Sequence, residues 1–466
     1  MANPNYFEFS DVSAEYVKSV SSALKSKYVT TPKAYVRTYG CQQNISDSER
    51  IKGILTICGY TVTENCDEAD FILFNTCAVR GHAEDRVFGN IGVLKKLKEK
   101  NPNLIIAIAG CMTQNAEVLN RLKRSFRYVN IAIGTGQSHR LPEYIYKAIC
   151  GEHIYCNELD NKSLCENIPV QRDNNIHGWL PVMYGCNNFC TYCIVPYARG
   201  RERSRRPHDI IAEAEQIIKS GVKEITLLGQ NVNSYGIGCD FNTSFADILQ
   251  AINNIDGDFR IKFMTSHPKD CTEDLLNAVT QCDKVAKHIH LPFQSGSDRI
   301  LSQMNRRYDR EKYLSLIKSA REKYPDIAIT SDIIVGFPGE TYEDFLQTLS
   351  LVKQVKFTSL FTFIYSPRPG TPAARMDDPV SRAEKGKWFD ELLDLQERIG
   401  RENLKNMVGK CHRVLIGERP ADDKYIIGST DGNIAVYMPY TPGMENTLCN
   451  IRITEYNNNN LYGEII

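Results

Sequence analysis

The stretch Gly185-Cys186-Asn187-Asn188-Phe189-Cys190-Thr191-Tyr192-Cys193 decides how the rest of the chain is read. Its three thiols are separated by three residues and then by two, a spacing that can hold three irons of a cubane cluster from one short loop. Four thiolates close a [4Fe-4S] cluster for electron transfer, whereas three leave one iron open to a small molecule. An open iron implies chemistry. A structural zinc knuckle is the competing reading, but zinc takes four ligands in pairs. The nearest downstream imidazole, His208, lies fifteen residues beyond Cys193 and has no partner at ligand spacing.

The chain around this loop is 466 residues long, enough for about three domains. Its apolar share of 42% and charged share of 24% are those of an ordinary globular protein and exclude the disordered and membrane classes. The segment Met1 to Tyr16 is polar and acidic, and no run reaches the roughly 18 apolar residues of a membrane span, so a cytoplasmic protein with no membrane partner is expected. Sixteen cysteines without an export signal argue for metal ligation or reduced thiols over a disulfide framework. Formal net charge is zero, so a nucleic-acid surface would have to be a local patch.

Upstream, residues 1–33 read as an N-terminal extension with one weak helical stripe, Tyr16, Val17, Val20 and Leu24. In residues 34–150 a unit repeats: an apolar strand candidate, a cysteine just past its end, then an amphipathic stretch. Strand Ala34 to Tyr39 leads to Cys41, Phe71 to Phe74 to Cys77, and Leu104 to Ala109 to Cys111. The intervals of 36 and 34 residues match a strand-helix-strand crossover, and Ala83 to Lys98 carries helical periodicity. Parallel strands put their carboxyl ends on one edge, where doubly wound sheets bind ligands. Cys41, Cys77 and Cys111 would then converge as a second three-thiolate site. Three buried core cysteines are the plainer alternative, set against the polar neighbours Gln42, Gln43, Asn44, Asn75 and Thr76.

Residues 151–176 show no period and read as a linker. In residues 177–400 six strand candidates alternate with helical stretches: Leu180 to Tyr184, Glu224 to Leu228, Arg260 to Met264, His288 to Leu291, Ile327 to Ile333 and Leu360 to Ile364. The fold class is therefore α/β, an N-terminal doubly wound parallel sheet followed by a partial (β/α)6 barrel. Polar residues gather where the barrel strands end, the place such folds keep their chemistry: Gln230, Asn231 and Asn233, Ser266 and His267, Gln294 and Ser295, Ser331 and Asp332, Tyr365 and Ser366. Gly336-Phe337-Pro338-Gly339 lacks the Lys-Ser/Thr of a phosphate loop. His288 and His290 face one side of a strand with no third metal ligand nearby. Residues 401–466 change to short strands with turn residues between them, which suggests a small C-terminal β-barrel of a kind that often binds RNA.

Cys-x3-Cys-x2-Cys with Tyr192 before the last cysteine resembles the radical S-adenosylmethionine (SAM) enzymes. The run Cys193-Ile194-Val195-Pro196-Tyr197-Ala198-Arg199-Gly200-Arg201-Glu202-Arg203-Ser204-Arg205 is similar to the methylthiotransferases among them. Thr38-Tyr39-Gly40-Cys41-Gln42-Gln43-Asn44, Asn75-Thr76-Cys77 and Gly110-Cys111 resemble that family's N-terminal ligand motifs, with Gln43 where Met is common. The resemblance implies two [4Fe-4S] clusters, one on Cys186, Cys190 and Cys193 and an auxiliary one on Cys41, Cys77 and Cys111. It also implies SAM bound near Tyr192, Gln230, Ser295 and Asp332, and a TRAM-like C-terminal barrel. The implied activity adds a methylthio group to C2 of an N6-isopentenyladenosine in a tRNA anticodon stem-loop, with an external electron donor and a sulfur source. Relatives of the same chemistry act on threonylcarbamoyladenosine or on a ribosomal protein, and a non-catalytic iron–sulfur protein would want a fourth cysteine per motif. Arg199, Arg201, Arg203 and Arg205, with Arg206 beyond them, concentrate guanidiniums beside the cluster loop and are expected to contact RNA phosphates.

Overall fold

The computed structural model describes residues 5–78, 81–159, 163–420 and 424–466. Its first part comprises β1 (Asn5–Glu8), α1 (Phe9–Lys27), β2 (Lys33–Tyr39), α2 (Gln42–Ile57), β3 (Thr61–Val62), β4 (Phe71–Thr76), α3 (Gly81–Lys100), β5 (Ile105–Gly110), α4 (Ala116–Ser125), β6 (Ile131–Ile133), α5 (Leu141–Ile149), β7 (Ile154–Cys156) and β8 (Ser163–Glu166). The sequences Phe-Ile-Leu-Phe-Asn-Thr of β4 and Ile-Ile-Ala-Ile-Ala-Gly of β5 are buried at every position, as central parallel strands covered on both faces must be. They sit in a six-stranded sheet of order β3-β2-β4-β5-β6-β7, all pairs parallel. Two apolar layers, one on each face, make the core.

The stretch expected as a linker carries structure. Ile154–Cys156 is the sixth strand of that sheet, and Ser163–Glu166 pairs in parallel with β1. Three- and four-residue strands are too short to show a period, and their pairing partners lie far away in sequence. The expected N-terminal stripe is the buried face of α1, with Val20 and Leu24 fully inside.

The central part comprises β9 (His177–Pro181), β10 (Met183–Tyr184), α6 (Val195–Arg199), β11 (Arg203–Ser204), α7 (Pro207–Lys219), β12 (Glu224–Leu228), α8 (Phe245–Asn253), β13 (Arg260–Phe263), α9 (Glu273–Gln281), β14 (His288–His290), α10 (Asp298–Gln303), α11 (Arg310–Lys323), β15 (Ala328–Val335), α12 (Tyr342–Val355), β16 (Ser359–Ile364) and α13 (Arg382–Lys405). The parallel sheets β9-β12-β13 and β14-β15-β16 meet at a bridge between Ile261 and Val285, which gives six strands in chain order and an open barrel. The first strand begins earlier than expected. Pro181 ends it, and Met183–Tyr184 turns away to pair antiparallel with β11.

Finally β17 (Cys411–Pro420), β18 (Tyr425–Thr430), β19 (Ala435–Pro439), β20 (Leu448–Asn457) and β21 (Asn460–Ile465) close a five-stranded barrel, β17 pairing with both β18 and β20. The β18–β19 turn enters the open end of the central barrel at the amino ends of its strands. Fully buried Arg260 donates to the Ser429 carbonyl at 3.0 Å and to Asp431 at 3.2 Å, while the Lys287 N–H donates to Asp431 at 2.9 Å. The opposite end, where the strands finish, is left for the site. Among the described residues no helix is long and apolar enough to cross a membrane.

Candidate two-cluster active site

The cluster loop is built on Gly185, whose φ is +78° and whose added Cβ would lie 2.0 Å from the Arg201 carbonyl oxygen, so only glycine fits before Cys186. Cys186 and Cys190 are buried, and Cys193 is partly so. The loop is gripped from several segments. The Gly185 N–H donates to Gln230 Oε1, the Asn187 N–H to Glu202 at 3.1 Å, and Asn305 Nδ2 to the carbonyls of Asn188 and Phe189 at 3.2 and 3.0 Å. Arg306, also buried, places Nη1 3.6 Å from the Cys190 sulfur. Burial pushes the Cys186 and Cys193 thiols up to about 12, so both are protonated in the metal-free chain and release protons when a metal binds.

The N-terminal trio forms where β2, β4 and β5 end side by side. Cys41 is exposed as the residue before α2, whereas Cys77 and Cys111 are buried. Gly110, at φ +107°, brings the next residue against β4, where the Cys111 N–H donates to the Thr76 carbonyl at 2.8 Å. Asn44 locks the group: Oδ1 accepts from the Cys41 thiol at 3.3 Å and Nδ2 donates to Asn75 Oδ1 and the Thr76 carbonyl. Soft donors from the ends of three neighbouring strands lie along this edge. Such a donor set fits an iron–sulfur cluster with one iron left open. All sixteen cysteines are free of disulfides.

At the carboxyl ends of the barrel strands, side chains carry unmet hydrogen-bonding groups. Asn231 Oδ1, Asn233 Oδ1, Ser266 Oγ, His267 Nε2 and Tyr365 Oη are buried with no partner. Unpaired buried polar atoms are costly, and their concentration at one rim fits a polar ligand such as SAM. His267 Nδ1 accepts from the Lys269 N–H, and burial, then Arg306, drives its pKa down to about 2. The neutral ring therefore carries its proton on Nε2 and offers a donor. Phe189, Thr265 and Gln294 all hold φ near +47 to +69° at this rim, a strain that such sites store.

Of the residues expected around SAM, Tyr192 packs on Met304, Phe337 and Ala373, and Gln230 holds the loop. Ser295 is buried and accepts from the Ser297 N–H, and Asp332 lies 3.5 Å from His290. His288 and His290 both contact Thr330 Oγ1.

The expected row of RNA-contacting arginines is corrected by the structure. Arg205 is buried, donating to Glu166 and Glu213, and Arg199 is buried against Asp47 at 2.8 Å. Arg203 is buried too, with Nη2 donating to the Arg199 carbonyl. Arg205 is committed to two internal carboxylates, and burial keeps Arg199 and Arg203 from the surface where a phosphate would lie. Arg201 alone of the four is exposed, lying 4.3 Å from the Phe189 ring centre, and Arg206 is exposed over Tyr6. Asp47 and Glu166 come from segments remote in sequence, so local charge density could not reveal them, whereas Glu213 lies only eight residues beyond Arg205.

Sequence reasoning also passed over Arg306 and Asn305. The signal was there in Met304-Asn305-Arg306-Arg307-Tyr308, a polar run between two helices of a barrel that keeps its chemistry in such loops.

Cys111 of the N-terminal trio and the segment that follows the cluster loop share one space. A cavity of about 510 Å³ is lined by Cys111, Gln114 and Asn115 from the N-terminal sheet, by Ile194, Tyr197 and Ala198 from the segment after Cys193, and by residues 366–370 beyond β16.

Comparison with known proteins agrees with this geometry. The Radical SAM superfamily matches residues 180–352, and a family described as uncharacterized protein family UPF0004 matches residues 33–134. The solved structure of TsrM from Kitasatospora setae, a radical S-adenosylmethionine methyltransferase, superposes with a TM-score of 0.56 at 14% identity, over 74% of this chain and 77% of that one, which establishes a shared fold. The tRNA-2-methylthio-N(6)-dimethylallyladenosine synthase of Thermoanaerobacter pseudethanolicus is 48% identical over 93% of this chain and 92% of its own. That of Alkaliphilus oremlandii is 46% identical over 98% of each. Identity of this order along nearly the whole length places the chain in the family of tRNA-2-methylthio-N(6)-dimethylallyladenosine synthases.

Proposed function

We propose that this protein is a radical SAM transferase that puts a methylthio group on C2 of N6-dimethylallyladenosine in a tRNA anticodon loop. The observation that carries the proposal is the cavity bounded by Cys111 of one trio and by the segment following Cys193 of the other. When bound, the two [4Fe-4S] clusters and SAM supply a radical that can take hydrogen from an aromatic C–H, a bond with no acidic proton for a base to remove, and a site for sulfur. The chain's own part is to hold, orient and shield. Cys186, Cys190 and Cys193 would ligate one cluster and Cys41, Cys77 and Cys111 the other. Asn231, Asn233, Ser266 and His267 would bind SAM's polar groups, with Tyr192, Gln230, Ser295 and Asp332 around them.

Tyr197, which lines the cavity and is 44% exposed, meets Phe189 edge-on, and Phe189 in turn lies beside Arg201. An aromatic pair with a guanidinium at a cavity mouth suits a base drawn out of its stack and the phosphate next to it. The same space would admit the base and expel water around the reacting carbon. An electron donor and a sulfur source must come from outside the chain.

The test is anaerobic reconstitution, then incubation with SAM, dithionite and tRNA bearing N6-dimethylallyladenosine, followed by mass spectrometry of the digested nucleosides. The expected product is the 2-methylthio derivative of that nucleoside. Product only from tRNA bearing threonylcarbamoyladenosine, or only from a ribosomal protein, would overturn the substrate assignment.

A further inference from the structure

Arg199 belongs to the segment that follows one cluster loop, yet its side chain ends in the domain of the other. It is the last residue of α6 and is 7% exposed. Nη2 donates to Asp47 Oδ2 at 2.8 Å, on α2, the helix that starts directly after Cys41. The helix of Arg199 shares a cavity wall with Cys111 through Ala198, and the guanidinium charge lies close enough to Cys111 and Cys41 to interact electrostatically with both. The placement is held from both sides, because Thr135 Oγ1 of the N-terminal domain donates to the Ala198 carbonyl at 2.7 Å. Arg203 braces it further by donating to the Arg199 carbonyl.

A cluster on three thiolates gains negative charge on reduction, and charge and hydrogen bonds at its sulfurs are among the levers that set its potential. A guanidinium keeps its charge even when buried, and burial leaves that charge poorly screened. Asp47 opposes it from α2. We infer that Arg199 is a positioning residue for the auxiliary site, a fixed cation that raises the reduction potential of the cluster on Cys41, Cys77 and Cys111, with Asp47 setting the size of the effect. The inference rests on the two-cluster reading above. It makes the auxiliary site depend on a side chain of the radical domain, so the N-terminal domain would not have its working potential alone.

The experiment uses the full chain with Cys186, Cys190 and Cys193 changed to Ala, so that only the auxiliary cluster is present, in potentiometric titrations followed by electron paramagnetic resonance. Arg199→Met should lower the ratio of reduced to oxidised cluster at a fixed poise about tenfold, equivalent to about 59 mV for a one-electron couple. Arg199→Lys should recover most of that loss, and Asp47→Asn should shift the midpoint the other way. Unchanged midpoints in Arg199→Met and Asp47→Asn, or shifts of the same sign, would overturn the inference. Should Arg199→Met hold no iron, Asp47→Asn decides by itself, and a midpoint unchanged or lowered in it refutes the idea. A parent triple variant that binds no cluster overturns the two-cluster reading, and this inference with it.

Discussion

Arg201 and Arg205 stand four residues apart on one basic run and do different work. Arg205 closes a buried network, with Nη1 2.7 Å from Glu213 and Nη2 2.6 Å from Glu166, and Arg50 of the N-terminal domain reaches the same Glu213 at 2.9 Å. Burial would raise the Glu213 pKa, but Arg50 and Arg205 hold it down at about 2. Breaking a buried pair from one side strands a charge, at a cost of about 3 to 5 kcal/mol. Arg205→Met should therefore lower unfolding stability by about that amount. Arg201→Gln should leave stability unchanged and flatten the dependence of log tRNA affinity on log salt by about one unit. Paired chemical denaturation and salt-series binding measure both, and a flattened slope for Arg205→Met with normal stability would contradict the assignment. Cys77 offers a second comparison at this scale. It lies just past the carboxyl end of β4 in the N-terminal sheet, so Cys77→Ala should still cleave SAM under dithionite while forming no methylthio product. A variant with its other cluster intact that makes no 5′-deoxyadenosine would refute that division of labour.

The turn from Gly336 to Glu340, which lacks the Lys-Ser/Thr of a phosphate loop, also has no room for a phosphate. Its backbone N–H groups could have cradled a phosphate. Instead Glu340, 2% exposed, fills the turn from within, accepting from the Gly336 N–H at 2.5 Å and the Phe337 N–H at 3.3 Å. Burial outweighs those donors and pushes its pKa up to about 7. A carboxyl whose folded value exceeds its unfolded value of about 4.3 adds stability that is complete below the lower figure and is lost as pH rises through the higher. Glu340→Gln keeps the acceptor without the charge. Its melting temperature relative to the parent should rise as pH increases from about 4.5 to about 7 and level off above. Thermal melts across that range check the sign, and a gap that narrows instead would mean the carboxylate is the stable form.

On the scale of the whole molecule, the C-terminal barrel is a stopper as well as a neighbour. Asp431 ties the β18–β19 turn to Arg260 and to the Lys287 backbone, and Lys262 reaches Asn433 of the same turn. Gly432 sits so close that an added Cβ would lie 2.7 Å from the Ala328 Cβ. Asp431→Ala should cost about 1 to 3 kcal/mol, the penalty of leaving buried donors unmet. It should also make the segment between α13 and β17 easier for a protease to cut. Unchanged melting and unchanged digestion would show that the turn merely rests against the barrel.

The sequence by itself determined both cysteine trios, the parallel strands that bring Cys41, Cys77 and Cys111 to one edge, and the alternation that builds the central barrel. Each is a periodic or local pattern: a strand buried on both faces writes itself as an apolar run, and a ligand loop writes its spacing directly. What joins the parts was decided only by tertiary structure. Asp47 lies 152 residues from Arg199, Glu166 lies 39 from Arg205, and Asp431 lies 171 from Arg260. Coulomb attraction and hydrogen bonding act through space, so a run of arginines in sequence does not record which of them will find a carboxylate when the chain closes. The same holds for Ile154–Cys156 and Ser163–Glu166, whose three and four residues become strands only because β6 and β1 offer unpaired edges for them to join.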